Sequence, residues 1–153
     1  MSDSQFDPTK FLDGATEEAS ERMPNLPAGQ DFISRIADVS FRQVQGKKDP
    51  SQMYLFMDIK HEVDTSQIQG YPTPTRLIND NFIVNTREDN PQAIDYGPGK
   101  NGRIRQYREA LGMNEAGQAF SPRAMIGRQV RVKTKLDPYE GEFFDKIDSL
   151  AKA

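Results

Sequence analysis

The chain has no cysteine and a single histidine, His61. Disulfides, cysteine-held zinc and thiol catalysis are thereby excluded, as are paired-histidine metal motifs. No G-x-S-x-G nucleophile elbow occurs. Asp58, Glu62 and Asp64 lie near His61 in the sequence. Strand alternation, however, puts His61 on the opposite face from Asp58, Lys60 and Glu62. Metal ligands must converge, so no metal, no cofactor and no enzymatic chemistry is expected. There is no run of about 18 apolar residues, hence no expected membrane-spanning helix. The opening Met1-Ser2-Asp3-Ser4 lacks the basic-then-apolar order of a signal peptide. A reducing, cytoplasm-like setting fits this inventory. Excess positive charge is missing too: the formal net charge is -3. Taken whole, the chain is not a basic polyanion binder, and local patches must carry any anion contact.

What is present suits one domain with a tail. The chain has 153 residues, 35% of them apolar and 28% charged. Charge is unevenly placed. Residues 1–25 hold six acids (Asp3, Asp7, Asp13, Glu17, Glu18, Glu21) against Lys10 and Arg22. Arg103, Arg105, Arg108, Arg123, Arg128, Arg131, Lys133 and Lys135 concentrate positive charge late in the chain. Residues 1–27 are rich in Ser, Asp, Glu and Pro and read as a flexible acidic extension. Within it, Leu12, Ala15, Ala19 and Met23 have the spacing of a short amphipathic helix. Pro27-Ala28-Gly29 marks the entry to a folded domain over 28–153.

Five strands and one helix follow from the patterning. Asp31 to Val44 is β-favouring, and its alternation breaks once, which predicts a bulge. Gln45 to Pro50 is a turn tipped by Lys47 and Lys48. Met53 to Glu62 alternates well, with Leu55, Met57 and Ile59 on one face and Tyr54, Phe56, Asp58 and Lys60 on the other. Arg76 to Asn85 is the third strand. Asn101 is placed to cap a helix from Gly102 to about Leu111, with Ile104, Tyr107 and Leu111 inward and Gly112 at the stop. The stretch Gly97-Pro98-Gly99-Lys100-Asn101-Gly102 before it reads as a flexible turn, or as an anion site at a helix start. It does not match the phosphate-binding G-x-x-x-x-G-K-[ST] loop. A last hairpin closes the chain. Gln129, Arg131, Lys133 and Lys135 line one side of its first strand, and Val130, Val132, Thr134 and Leu136 the other. Asp137 to Gly141 supplies the turn, and the second strand runs from Glu142 to Ser149.

Three strands, a helix and two strands is the order of the oligonucleotide/oligosaccharide-binding (OB) fold, a five-stranded Greek-key barrel. The expected architecture is therefore mainly β, an OB-fold with one helix between strands 3 and 4 plus the acidic N-terminal extension. Several segments carry a further likeness. They are Leu26-Pro27-Ala28-Gly29 before the first strand, Met53 to Ile59, Arg103 to Gly112, Met125 to Lys133, and Tyr139 to Ile147. Through these segments the chain resembles phage-encoded single-stranded-DNA-binding proteins of this fold. The resemblance implies non-sequence-specific coating of single-stranded DNA in phage replication or recombination, in the cytoplasm of an infected bacterium. It also implies replication or recombination proteins as partners and is compatible with a homo-oligomer. Many such proteins end in an acidic tail that recruits partners. This chain ends Ser149-Leu150-Ala151-Lys152-Ala153 and departs from that pattern.

Single-strand binders combine a positive groove with aromatic faces that stack bases. The candidate DNA-binding residues are Tyr54, Phe56 and Lys60 on the second strand, Lys47 and Lys48 in the first turn, Arg76 on the third strand, and Arg128, Arg131 and Lys133 late in the chain. Each has a plainer reading. Tyr54 and Phe56 pack beneath a loop or the extension, or the Leu55 face is the outer one; Lys47 and Lys48 are ordinary surface, Phe82 belongs to the core, and the basic ladder is a solvated face partly paired with Glu142 or Asp145. A second functional reading is a virion structural protein, decorating or completing a capsid, that docks through its N-terminal arm.

Overall fold

A computed structural model describes residues 6–153. Of the acidic extension, Asp3 lies outside the described residues. The elements run α1 (Pro8–Asp13), β1 (Asp31–Gln45), β2 (Met53–Asp64), β3 (Thr75–Val84), α2 (Gly102–Ala110), a 3-10 turn (Pro122–Met125), β4 (Gln129–Tyr139) and β5 (Glu142–Lys152). The architecture is mainly β. All five strands form one antiparallel sheet in the order β3-β2-β1-β4-β5, and a helix does fall between β3 and β4.

Alternation decides the two faces. Met57, Ile59, His61 and Val63 of β2, Val130 and Val132 of β4, and Phe32 and Ile36 of β1 point inward and are buried. Ile104 and Tyr107 of α2 cover them, with Met125 and Ile147. Each fully buried aliphatic of this kind contributes about 1.5–3 kcal/mol relative to exposure. The break in β1 is a register shift between Ile36 and Asp38, where Ala37 is the extra residue. It lets Arg35 and Asp38 both face outward on either side of the bulge.

The barrel is not closed. β3 and β5, the two edges, share no ladder, so the expected Greek-key barrel is an open sheet whose edges approach each other. Side chains span that seam. Arg76 of β3 pairs with Asp145 of β5, whose side chain is 1% exposed. Arg103 of α2 reaches Asp80 of β3 at 2.9 Å and the carbonyls of Ile147 and Asp148 of β5 at 2.9 and 3.2 Å. The extension supplies the rest. Leu26 donates its N–H to the Asp145 carboxylate (3.1 and 3.2 Å). The Pro24 carbonyl accepts from the Tyr71 hydroxyl and the Arg76 guanidinium, both at 2.8 Å. Leu26 is 2% exposed and packs in the core. The folded unit thus begins before Pro27, with Arg22 to Leu26 lying along the seam.

Two local expectations change. Helix α1 spans only Pro8–Asp13, capped by the Asp7 carboxylate on the Thr9 N–H (3.0 Å). Ala15, Ala19 and Met23 are not helical. Asn101 precedes α2 with φ 51° but makes no side-chain cap. Its amide instead joins the backbone of Asn85 to that of Asp95, tying the end of β3 to the following loop.

Candidate nucleic-acid interface

The outward phase of β1, β2 and β3 assembles the candidate surface in rows. Arg42, Phe56 and Ile83 form one row across the three strands, Ser40, Asp58 and Asn81 the next, and Asp38, Lys60 and Asn79 the third. Tyr54 stands beside Val44 towards the hairpin tip. The Arg42 guanidinium lies 4.9 Å from the Phe56 ring centroid, within cation–π range. It also binds Asp58 at 2.7 Å. A shallow groove of about 390 Å³ runs along the polar rows, lined by Ser40, Arg42, Lys60, Asn79 and Asn81 among others.

Eight of the nine candidate residues lie on this outer face or at its ends. Tyr54 is exposed and Phe56 half-buried. Lys47 and Lys48 are exposed in the turn that ends the β1–β2 hairpin. Lys60 is exposed next to Arg35 and Glu62, which pair at 3.0 Å. Arg35 faces Gln129 of β4, and Arg131 faces Ile33, so Arg131 continues the surface, and Arg128 is exposed just before β4, at its end. Lys133 is held 4.0 Å from Asp31. Among the described residues, Lys47, Lys48, Lys60, Arg128 and Arg131 have no carboxylate within 4.0 Å.

Arg76 is the exception. The phase that buries Ile78 and Val84 also turns Arg76 inward, where it serves the seam with Asp145. The pairings expected for the basic ladder differ too. Glu142 meets Arg22 and Asp145 meets Arg76, while Lys135 meets Asp148 at 3.5 Å. Phe82 is partly buried against the core. The turn before α2 closes with the Lys100 N–H on the Gly97 carbonyl (3.1 Å).

His61 belongs to none of these surfaces. It is buried under α2 in a chain of hydrogen bonds. Tyr107 donates its hydroxyl proton to Asp80 (2.6 Å). The Tyr107 oxygen can then accept from His61 Nε2 (2.7 Å), and His61 Nδ1 accepts from the Ser34 hydroxyl (2.9 Å). A neutral imidazole satisfies every member. Burial drives the His61 pKa down to about 4; Asp80 opposes that shift and Arg103 adds to it. Burial also holds the Tyr107 phenol well above its ordinary value, with Asp80 acting in the same direction. Nothing here is open to a substrate, and the network reads as a positioning device between α2 and the sheet. Among the described residues no cluster of His, Asp or Glu is arranged to hold a metal ion.

Arg42 and Ile83 were missed in the sequence, although Asp38, Ser40, Arg42 and Val44 alternate once the bulge is placed. Exposed Tyr139 and Phe144 on the β4–β5 hairpin were also missed. Their rings meet edge to face at 6.3 Å, and Arg22 lies 4.1 Å over Phe144. No known family model and no curated protein sequence matches the chain.

Proposed function

We propose that the protein binds single-stranded DNA without sequence preference, on an OB-like sheet left open at the β3–β5 seam, and acts in phage DNA replication or recombination. One observation carries the reading. Phe56 and Tyr54 sit on the outer phase of β2 among Arg42, Lys60, Asn79 and Asn81, on the strands that bind oligonucleotides in OB folds. An aromatic face that meets a base contributes about 1–3 kcal/mol whatever the base; Tyr54 is exposed, and half-buried Phe56 shares its ring with the Arg42 guanidinium. The unpaired cations Lys47, Lys48, Lys60, Arg128 and Arg131 flank them at both ends and suit a phosphate track. Asp38, Asp58 and Glu62 temper the field, so affinity rests on stacking as much as on charge.

Fluorescence titration with oligo-dT tests this. For single strands, log K falls with log salt by about 0.7 per phosphate neutralised. Five engaged cations predict a slope of about -3.5, or roughly a hundredfold loss between about 50 and 200 mM salt. No binding at the lower salt would end the proposal.

A further inference from the structure

The β1–β2 hairpin and the loop after β3 enclose a cleft of about 770 Å³, a size usual for small-molecule sites. Phe41, Gln43 and Gln45 of β1 stand opposite Met57, Leu55 and Met53 of β2, and Leu55 stands opposite Val84 of β3. This is the phase that buries Met57 and Ile59 further along the sheet. Phe41, Met53, Leu55, Val84 and Ile94 contribute apolar lining. The loop wall is fixed to β3 by the Thr86–Ile94 bridge and by the Asp95 N–H, which donates to the Asn85 carbonyl (3.0 Å).

Polar side chains share the lining, and none of them is charged. Gln43, Gln52, Asn85 and Gln92, all exposed, bring four carboxamides to it. Nearby amides serve the fold. Gln45 donates to the Pro50 carbonyl (2.8 Å), and Asn101 donates to the carbonyls of Asn85 and Asp95 (2.9 and 2.8 Å). Among the described residues, the four cleft amides have no such partner on the chain. The rim carries both signs. Lys47 and Lys48 stand with Asp49 in the hairpin turn, and Arg123 follows the lining residue Pro122. The loop side holds Glu88, Asp89 and Asp95, with Arg87 paired to Asp89 at 2.8 Å. A charged ligand meets no field of one sign there, and an ionised group in the uncharged lining would lose water without gaining a counter-charge. What fits is neutral and flat, apolar on its faces, with donors and acceptors along its edge.

We infer that the cleft receives one nucleobase of the bound strand, an inference that rests on the DNA-binding reading. Tyr54 and Ile83 belong both to the cleft lining and to the outer face that carries Phe56. A strand stacked on Tyr54 therefore has only to turn its next base over the hairpin tip, with Lys47 and Lys48 beside the phosphates that stay outside. A carboxamide holds a donor and an acceptor in one plane and reads a base edge through both. Stacking on the outer face accepts any base, whereas the cleft tells bases apart, so the preference is confined to a single nucleotide. Glu88, Asp89 and Asp95 on the far side repel further phosphates and make that nucleotide the last one held.

Competition titrations at low salt test it, using oligo-dT in which each position in turn is replaced by dA, dC or dG. One position near an end of the oligonucleotide should show Kd values spread about tenfold across the four bases, the discrimination expected of a base edge read by hydrogen bonds. Every other position should vary by less than about threefold, as stacking predicts. Gln52→Ala with Gln92→Ala changes only exposed side chains, so the variant is expected to fold. It should flatten the spread at that position to within about threefold and keep the wild-type salt slope. A spread below about threefold at every position, or one that survives in the variant, overturns the inference and leaves the DNA-binding reading standing. Absence of binding by every oligonucleotide removes that reading and the inference with it.

Discussion

Lowering the pH from 7 to 4 should destabilise the fold through one residue. His61 has an ordinary pKa of 6.5 when the chain is unfolded and about 4 when folded. The unfolded state therefore binds the proton first as the pH falls. The stability of neutral His61 is complete above pH 6.5 and is lost between there and about pH 4, after which it stays flat. One pKa unit is about 1.4 kcal/mol, so the loss amounts to about 3 kcal/mol. Structure explains the sign. An imidazolium would need to donate at both nitrogens in a buried site, and Nδ1 faces the Ser34 hydroxyl, which would have to turn its own proton away. Because His61 is the only histidine, its ring proton can be followed alone by NMR. Urea melts of wild type and His61→Gln at pH 7 and pH 4 isolate the contribution, since carboxylate effects are shared. The variant should be the less stable at pH 7, and the gap should shrink by about 3 kcal/mol at pH 4. A folded-state titration near 6.5, or a gap independent of pH, would refute the reasoning.

Other perturbations separate seam, core and arm. Arg103→Ala strands a buried Asp80 and frees two β5 carbonyls; a loss of about 3 kcal/mol is expected in denaturant melts, and less than about 1 would deny Arg103 its bridging role. Thr134 buries an oxygen with no partner. Thr134→Val should therefore be neutral or stabilise by about 1 kcal/mol, and a clear drop in melting temperature would show that the hydroxyl is satisfied. Removing residues 1–21 should leave thermal stability unchanged, because among the described residues the seam contacts begin at Arg22. Unfolding of that truncated chain at room temperature would contradict this boundary.

Strand patterning was legible where one face is buried. The alternation of Leu55, Met57 and Ile59, and of Val130 and Val132, separates the two faces of each strand, but which face of β2 is inward follows only from the burial of Met57 and Ile59 beneath α2. The last hairpin was read less well. Pro138 looked like a turn residue, yet β4 continues to Tyr139 and the turn is Glu140-Gly141, with φ 50° and 79°. A two-residue turn makes Pro138 and Phe143 a non-hydrogen-bonded pair. β1 pairs with β4 only as far as Lys133, so the Pro138 nitrogen meets no neighbour and costs no ladder bond. Contacts distant in sequence left no local trace. Arg76 and Asp145 are 69 positions apart, and Leu26 is one apolar residue in a polar run without periodicity. Barrel closure failed for the same reason: strand order is written locally, whereas the β3–β5 edge depends on twist and on which side chains fill the gap.

The central claim is base contact by the outer face of β2. Oligo-dT titrations of wild type, Tyr54→Ala and Phe56→Ala at low salt measure it directly. Each substitution should weaken binding by about 1–3 kcal/mol, roughly five- to a hundredfold, while leaving the salt slope unchanged. Wild-type affinity in both variants would contradict it and return the two rings to a structural role.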